Sequence, residues 1–152
     1  MFAKPLAVAA IAAITIVGCR SAQHANATIA TEAPAVSDAA FLAQAEAGAG
    51  LFANRCAGCH GADGSGGRAP AVIGDGTLPA APRERSRRTQ QLNSAADLNT
   101  YIAQNMPPNA RARAQMTPDD TLSLVAFLLS SRGVIHTGEL TPDNVDALAI
   151  SN

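Results

Sequence analysis

Two thiols separated by two residues and followed at once by an imidazole, Cys56-Ala57-Gly58-Cys59-His60, constrain this chain more than anything else in its 152 residues. They sit in a sequence short of material for an ordinary core. Hydrophobic residues make up 47% of it, yet there are four Phe, one Tyr and no Trp, and Ala supplies much of the apolar count. Burial of apolar area stabilises by about 25 cal/mol per Å². A domain this poor in large side chains therefore has a deficit that a large apolar bound group would fill. The length allows one domain plus export and linker segments. A formal net charge of −1 argues against general nucleic-acid binding, and Lys4 is the only lysine beside the arginines.

The third cysteine, Cys19, makes the count odd, which asks for an explanation beyond disulfides. Four chemistries compete for the other two. A thioredoxin-like redox pair needs a βαβ context that the sequence lacks. A zinc site needs four ligands, and only His24 and His136 remain to help. A disulfide across two intervening residues would be strained and would leave His60 unexplained. The remaining chemistry is c-type haem attachment, whose pattern is C-x-x-C-H. Thiols three positions apart reach two substituents on one porphyrin edge, and the histidine after the second is carried under the iron. Cys56 and Cys59 are thus expected to form the thioethers of one haem c, and His60 the proximal bond.

Residues 1–18 form a signal sequence on this reading. Lys4 marks a short basic region, and the apolar run from Leu6 to Val17 is too short for the roughly 20 residues of a membrane-spanning helix. Its end, Ile16-Val17-Gly18-Cys19, resembles the lipobox of bacterial lipoproteins. The resemblance implies cleavage after Gly18, lipidation of Cys19, and a protein anchored to lipid on the periplasmic side of a bacterial membrane. The alternatives are cleavage near Ala27, giving a soluble periplasmic protein, and an uncleaved helix, which Arg20 weakens. Residues 19–36, rich in small polar residues and Ala, are a tether. The folded domain is placed at 37–133 and a tail at 134–152.

Three helices are predicted. Phe41, Ala45, Gly48 and Phe52 share one face of the first, which Ser37 or Asp38 caps and which leads into Cys56. The second starts at Ser94, with Asp97 as an imperfect capping-box partner and Leu98, Tyr101 and Ile102 on one face. It stops at Asn105-Met106, because Pro107 and Pro108 cannot continue a helix. The third has Thr117 as cap, Pro118 first, and Asp119 and Asp120 on the positive end of its dipole. Leu124, Val125, Phe127, Leu128 and Leu129 are its apolar residues, and Gly133 follows its end. Alternating strand patterns are absent, so the fold class is all-α. The loop from Gly61 to Asn93 is long enough that it either contains a short helix or wraps a bound group.

Over roughly residues 38–132 the chain resembles small bacterial class I cytochromes c with one haem. The resemblance rests on Gly48-Ala49-Gly50-Leu51-Phe52, on the Cys-Ala-Gly-Cys-His-Gly run, on Asn105-Met106-Pro107-Pro108, and on Leu124-Val125-Ala126-Phe127-Leu128-Leu129. It implies a cytochrome c fold of about three main helices and long loops around the haem. It also implies that Met106 is the distal iron ligand, a soft thioether that favours ferrous iron. Met116 is the rival, with an apolar role before the Thr117 cap as its other reading. By the same resemblance Gly48 lets the last helix cross closely with Phe127 at the crossing, and the Pro70 carbonyl accepts from the second ring nitrogen of His60. Pro70 has a simpler reading as a turn residue, and Tyr101 as core rather than as a partner for a propionate.

Arg83-Glu84-Arg85-Ser86-Arg87-Arg88 departs from a minimal cytochrome. It is a solvated loop, a propionate contact or a docking surface for an acidic partner. In the tail, Thr141-Pro142-Asp143 followed by Val145, Leu148 and Ile150 is another helix signature, expected to pack on the core as a short helix, and His136 is an exposed residue rather than a ligand. The function implied is single-electron transfer, with a dehydrogenase as donor and an oxidase or another cytochrome as acceptor. The alternatives are a cytochrome subunit of a dehydrogenase or oxidase complex, and a haem peroxidase or gas-binding protein.

Overall fold

In the computed structural model, which describes residues 38–150 except 76 and 85, helix α1 spans Asp38–Arg55 and buries the four residues of its predicted face, Phe41, Ala45, Gly48 and Phe52. The expected signal sequence, Cys19, His24, the tether and Ser37 lie outside the described residues. Helix α5, Pro118–Ser130, packs across α1, and the contact is set by Gly48. A Cβ added there would stand 1.9 Å from the Ser123 carbonyl oxygen and 2.9 Å from Phe127 Cβ. Only a hydrogen fits. Beside the crossing, the Phe52 and Phe127 rings lie 5.4 Å apart and tilted by 47°, a favourable aromatic geometry. The pairing of Gly48 with Phe127 is therefore structural.

The remaining helices are cut by local chemistry. Two one-turn helices, α2 at Ala57–His60 and α4 at Ala110–Arg113, were not anticipated, while α3 spans Ala95–Asn105. At Ser94 the capping box closes despite the short Asp97 side chain. Ser94 Oγ accepts from Asp97 N at 3.1 Å, and Asp97 Oδ2 accepts from Ser94 N at 3.0 Å. Thr117 and Asp120 form a second such box, so Asp120 is a capping partner as well as a dipole partner. After α5, Gly133 takes φ +77°. Val134 N donates to Leu129 O and Gly133 N to Ser130 O, the paired bonds that satisfy terminal carbonyls of a helix.

Residues 134–150 are integrated into the domain. Leu140 and Val145 are 2% and 5% exposed and belong to the same core as α1, α3 and α5. Gln44 on α1 holds Leu140 like a strand partner, its Nε2 donating to Leu140 O and its Oε1 accepting from Leu140 N. The Thr141-Pro142-Asp143 signature leads into a short 3-10 helix, Val145–Ala147. Beyond it, Ser94 and Ala149 form an isolated antiparallel bridge, and among the described residues there is no strand. His136 is a correction to the expectation of exposure. It is half-buried, its ring 6.3 Å from that of Phe41 and its Nδ1 donating to Gly138 O.

Candidate functional site

The thiol pair lies on a helical turn that carries on from α1. Cys56 N donates to Phe52 O, and both Cys59 N and His60 N donate to Cys56 O at 3.0 Å. At the end of this turn Gly61 has φ +88°, and a Cβ there would meet the Gly66 carbonyl oxygen at 2.5 Å. That reversal, which L side chains resist, folds the following loop back along the turn. Gly66 N bonds His60 O and Ala69 N bonds Cys59 O, so Pro70 arrives beside the imidazole. His60 Nδ1 lies 2.7 Å from Pro70 O. A carbonyl oxygen only accepts, so Nδ1 carries the proton and Nε2 keeps the lone pair that a metal ligand needs.

Above the turn opens a cavity of about 540 Å³, within the size range of cofactor sites. Cys56, Cys59, His60, Pro70 and Met106 all contribute to its wall, with Phe52, Val72, Leu78, Leu92, Leu98, Ile102, Leu124 and Leu128 as apolar lining. Among the described residues the 61–93 loop contains no helix, and it supplies one side of this space. Tyr101 packs on the core, as one reading of it expected, and also lines the cavity. Met116 packs on the core and is absent from the lining.

Met106 reaches the cavity because of where α3 stops. Its N–H makes the last α3 bond, to Ile102 O at 2.9 Å, and its own backbone is already extended at φ −122° and ψ 138°. An extended residue before proline is what sterics impose. Cys56 and Cys59 are both free thiols. Burial pushes the Cys56 thiol up, outweighing the opposite pull of the Arg55 charge. Among the described residues no group of three or more His, Cys, Asp or Glu side chains is placed to hold a metal ion. Two thiols and an imidazole at the edge of a mainly apolar cavity do fit a covalently held, flat, apolar macrocycle.

Three arginines organise this site, and sequence reasoning missed the part each plays. Arg68 reaches back to the thiol turn, donating to Gly58 O at 2.9 Å from Nη2, which also lies 3.6 Å from Cys59 Sγ. Arg88 threads its guanidinium among the carbonyls of Pro79, Ala80, Ala81 and Gln90. It is half-buried, so the description of 83–88 as a solvated run fails for this residue. Arg83 and Glu84 are exposed and stand at the cavity wall. Arg113 donates to Pro107 O at 2.8 Å. The signal available in sequence was only the preference for arginine over lysine, which matches a planar, forked donor.

The family model for cytochrome c matches residues 45–132. Among solved structures the chain is similar to the sulfane dehydrogenase SoxCD from Paracoccus pantotrophus, with 26% identity and a TM-score of 0.50. That similarity covers 70% of this chain and 52% of the other, so the chain spans about half the length of the one it matches. No curated protein sequence matches. Because the family match covers more than half of the chain, from within α1 to the turn after α5, and encloses both thiols of the cavity, the chain belongs to the cytochrome c family.

Proposed function

We propose that this protein is a monohaem, single-electron carrier whose iron is held between His60 and Met106, exported and anchored to lipid through Cys19. As a cytochrome c it carries covalent haem c on Cys56 and Cys59 and exchanges electrons with redox protein partners. The haem supplies the one-electron couple, and the protein sets its ligands and surroundings. The finer reading of the ligands is carried by one observation. His60 and Met106 line the same cavity as the two thiols, and Met116 does not. The Pro70 carbonyl supports the same role for His60 by fixing its tautomer and strengthening it as a ligand.

An optical spectrum of the ferric holoprotein tests this directly. Met106→Ala is expected to abolish the methionine–iron charge-transfer band. Met116→Ala should leave the band intact and cost about 1–2 kcal/mol of stability, as a half-buried methionine does. The wild-type ferrous protein should resist carbon monoxide. Rapid binding by the untreated protein would favour the peroxidase or gas-binding reading instead.

Anchoring is supported by the apolar run ending in Gly18-Cys19. Cys19→Ser is expected to leave an unprocessed or unlipidated form, seen by intact mass and by its loss from the membrane fraction. A normally processed, membrane-bound Cys19→Ser protein would refute the anchor. The similarity to a sulfane dehydrogenase favours a second reading, in which the chain is the electron-accepting cytochrome of a dehydrogenase complex. Mild detergent extraction separates the two: a complex subunit elutes with its dehydrogenase, a carrier elutes alone.

A further inference from the structure

Pro107 and Pro108 have no backbone N–H, so the segment that follows Met106 cannot be tied down through its own amides. Only its carbonyls can be held. One side chain takes both: Arg113 Nη1 donates to Pro107 O at 2.8 Å and, more weakly, to Pro108 O at 3.4 Å. Helix α4 aims that side chain. Its N-cap Asn109 accepts from Ala112 N through Oδ1 at 3.0 Å and from Arg113 N through its carbonyl at 2.9 Å. Met106, Pro107 and Pro108 line the cavity whereas Arg113 does not, so the guanidinium grips this wall from behind. Arg113 is half-buried, where water competes less for its hydrogen bonds.

We propose that Arg113 is a positioning residue that keeps the Met106 wall of the haem cavity closed, so that the methionine sulfur stays on the iron and small external ligands are kept off it. The inference rests on Met106 being the distal ligand. A charge-assisted bond is stronger than a neutral one, and among the described residues Arg113 is the side chain that donates to the Pro107 and Pro108 carbonyls. Lysine keeps the charge but not the rigid planar group that presents Nη1 to both carbonyls, so it should replace Arg113 only in part.

The test uses haem-loaded full chain, reduced and mixed with carbon monoxide. Met106→Ala should bind fastest. R113A should bind about tenfold faster than wild type, the factor expected from losing one charge-assisted hydrogen bond, and R113K should fall between. The charge-transfer band of ferric R113A should fade on warming well before the far-ultraviolet helix signal melts. Carbon monoxide binding by R113A at the wild-type rate, beside fast binding by Met106→Ala, would overturn the proposal. So would a band that fades only together with the helices, which is the mark of a merely structural role. Met106→Ala binding no faster than wild type would remove the ligand reading itself and this inference with it. Should R113A not fold, R113K carries the same comparison against wild type and Met106→Ala.

Discussion

Replacing Cys56 and Cys59 together by serine is expected to leave no haem on the chain after denaturing electrophoresis and to abolish cooperative thermal unfolding. The magnitude follows from the cavity. An enclosed void costs about 24 cal/mol per Å³, so on the order of 10 kcal/mol is the upper limit for a 540 Å³ cavity that also opens to solvent. Total stability is typically about 5–15 kcal/mol. Water entry and partial collapse of the 61–93 loop would reduce the penalty, yet a third of it already consumes much of that margin. The residues around the cavity are not peripheral. Leu92, Leu98, Ile102, Leu124 and Leu128 line the cavity and are also members of the core that joins α3 to α5. Haem staining and a far-ultraviolet melt measure the two parts separately. A double variant that melts sharply near the wild-type midpoint would show that the fold does not need its cofactor.

Gly48→Ala is expected to lower stability by about 3 kcal/mol, near the upper end for overpacking a core. Two effects of opposite sign meet here. Alanine inside a helix is favoured over glycine by about 1 kcal/mol. Against that, the new methyl would stand 1.9 Å from the Ser123 carbonyl oxygen and 2.5 Å from its carbon. Backbone of a packed helix cannot swing aside as a side chain can, so α5 must move away from α1. The steric effect wins. The midpoint should fall by roughly 10 °C for a domain of this size. Gly50, two residues on and exposed, isolates the favourable effect, since a Cβ there meets nothing within 4 Å. Gly50→Ala should therefore stabilise by about 0.5–1 kcal/mol. Equal changes at the two glycines would refute the close crossing.

The residues that could be read in advance share a physical property: their partners are a few positions away. Ser94 and Thr117 cap the helices that follow them because the amides they bind lie three residues on. Pro107 and Pro108 stop α3 through their own rings. Even the short Asp97 was identified, though its strength was underrated, since its carboxylate takes the Asn93 amide as well. Long polar side chains were opaque for the opposite reason. Gln44 meets Leu140 across 96 positions, and Arg88 finds four carbonyls that converge only when the loop is closed. Arginine on a page of sequence has no preferred target.

Cys56-Ala57-Gly58-Cys59-His60 by itself determined the covalent chemistry, because thioether spacing and the adjoining imidazole are set by covalent distance along one turn. The all-α class followed from periodicity and caps, which are equally local. Tertiary structure brings Met106 rather than Met116 to the cavity, the choice that family resemblance implies. Met106 and Met116 are ten positions apart, both beside proline-bearing segments, and sequence separates them only by family resemblance. Their surroundings differ because α3 ends at the cavity and α4 carries the chain away from it. In the tail, Val145, Leu148 and Ile150 already point to core packing, whereas the partners of its backbone, the Gln44 side chain and the Ser94–Ala149 bridge, are a tertiary matter. A short polar stretch cannot state in advance which distant groups will satisfy its backbone.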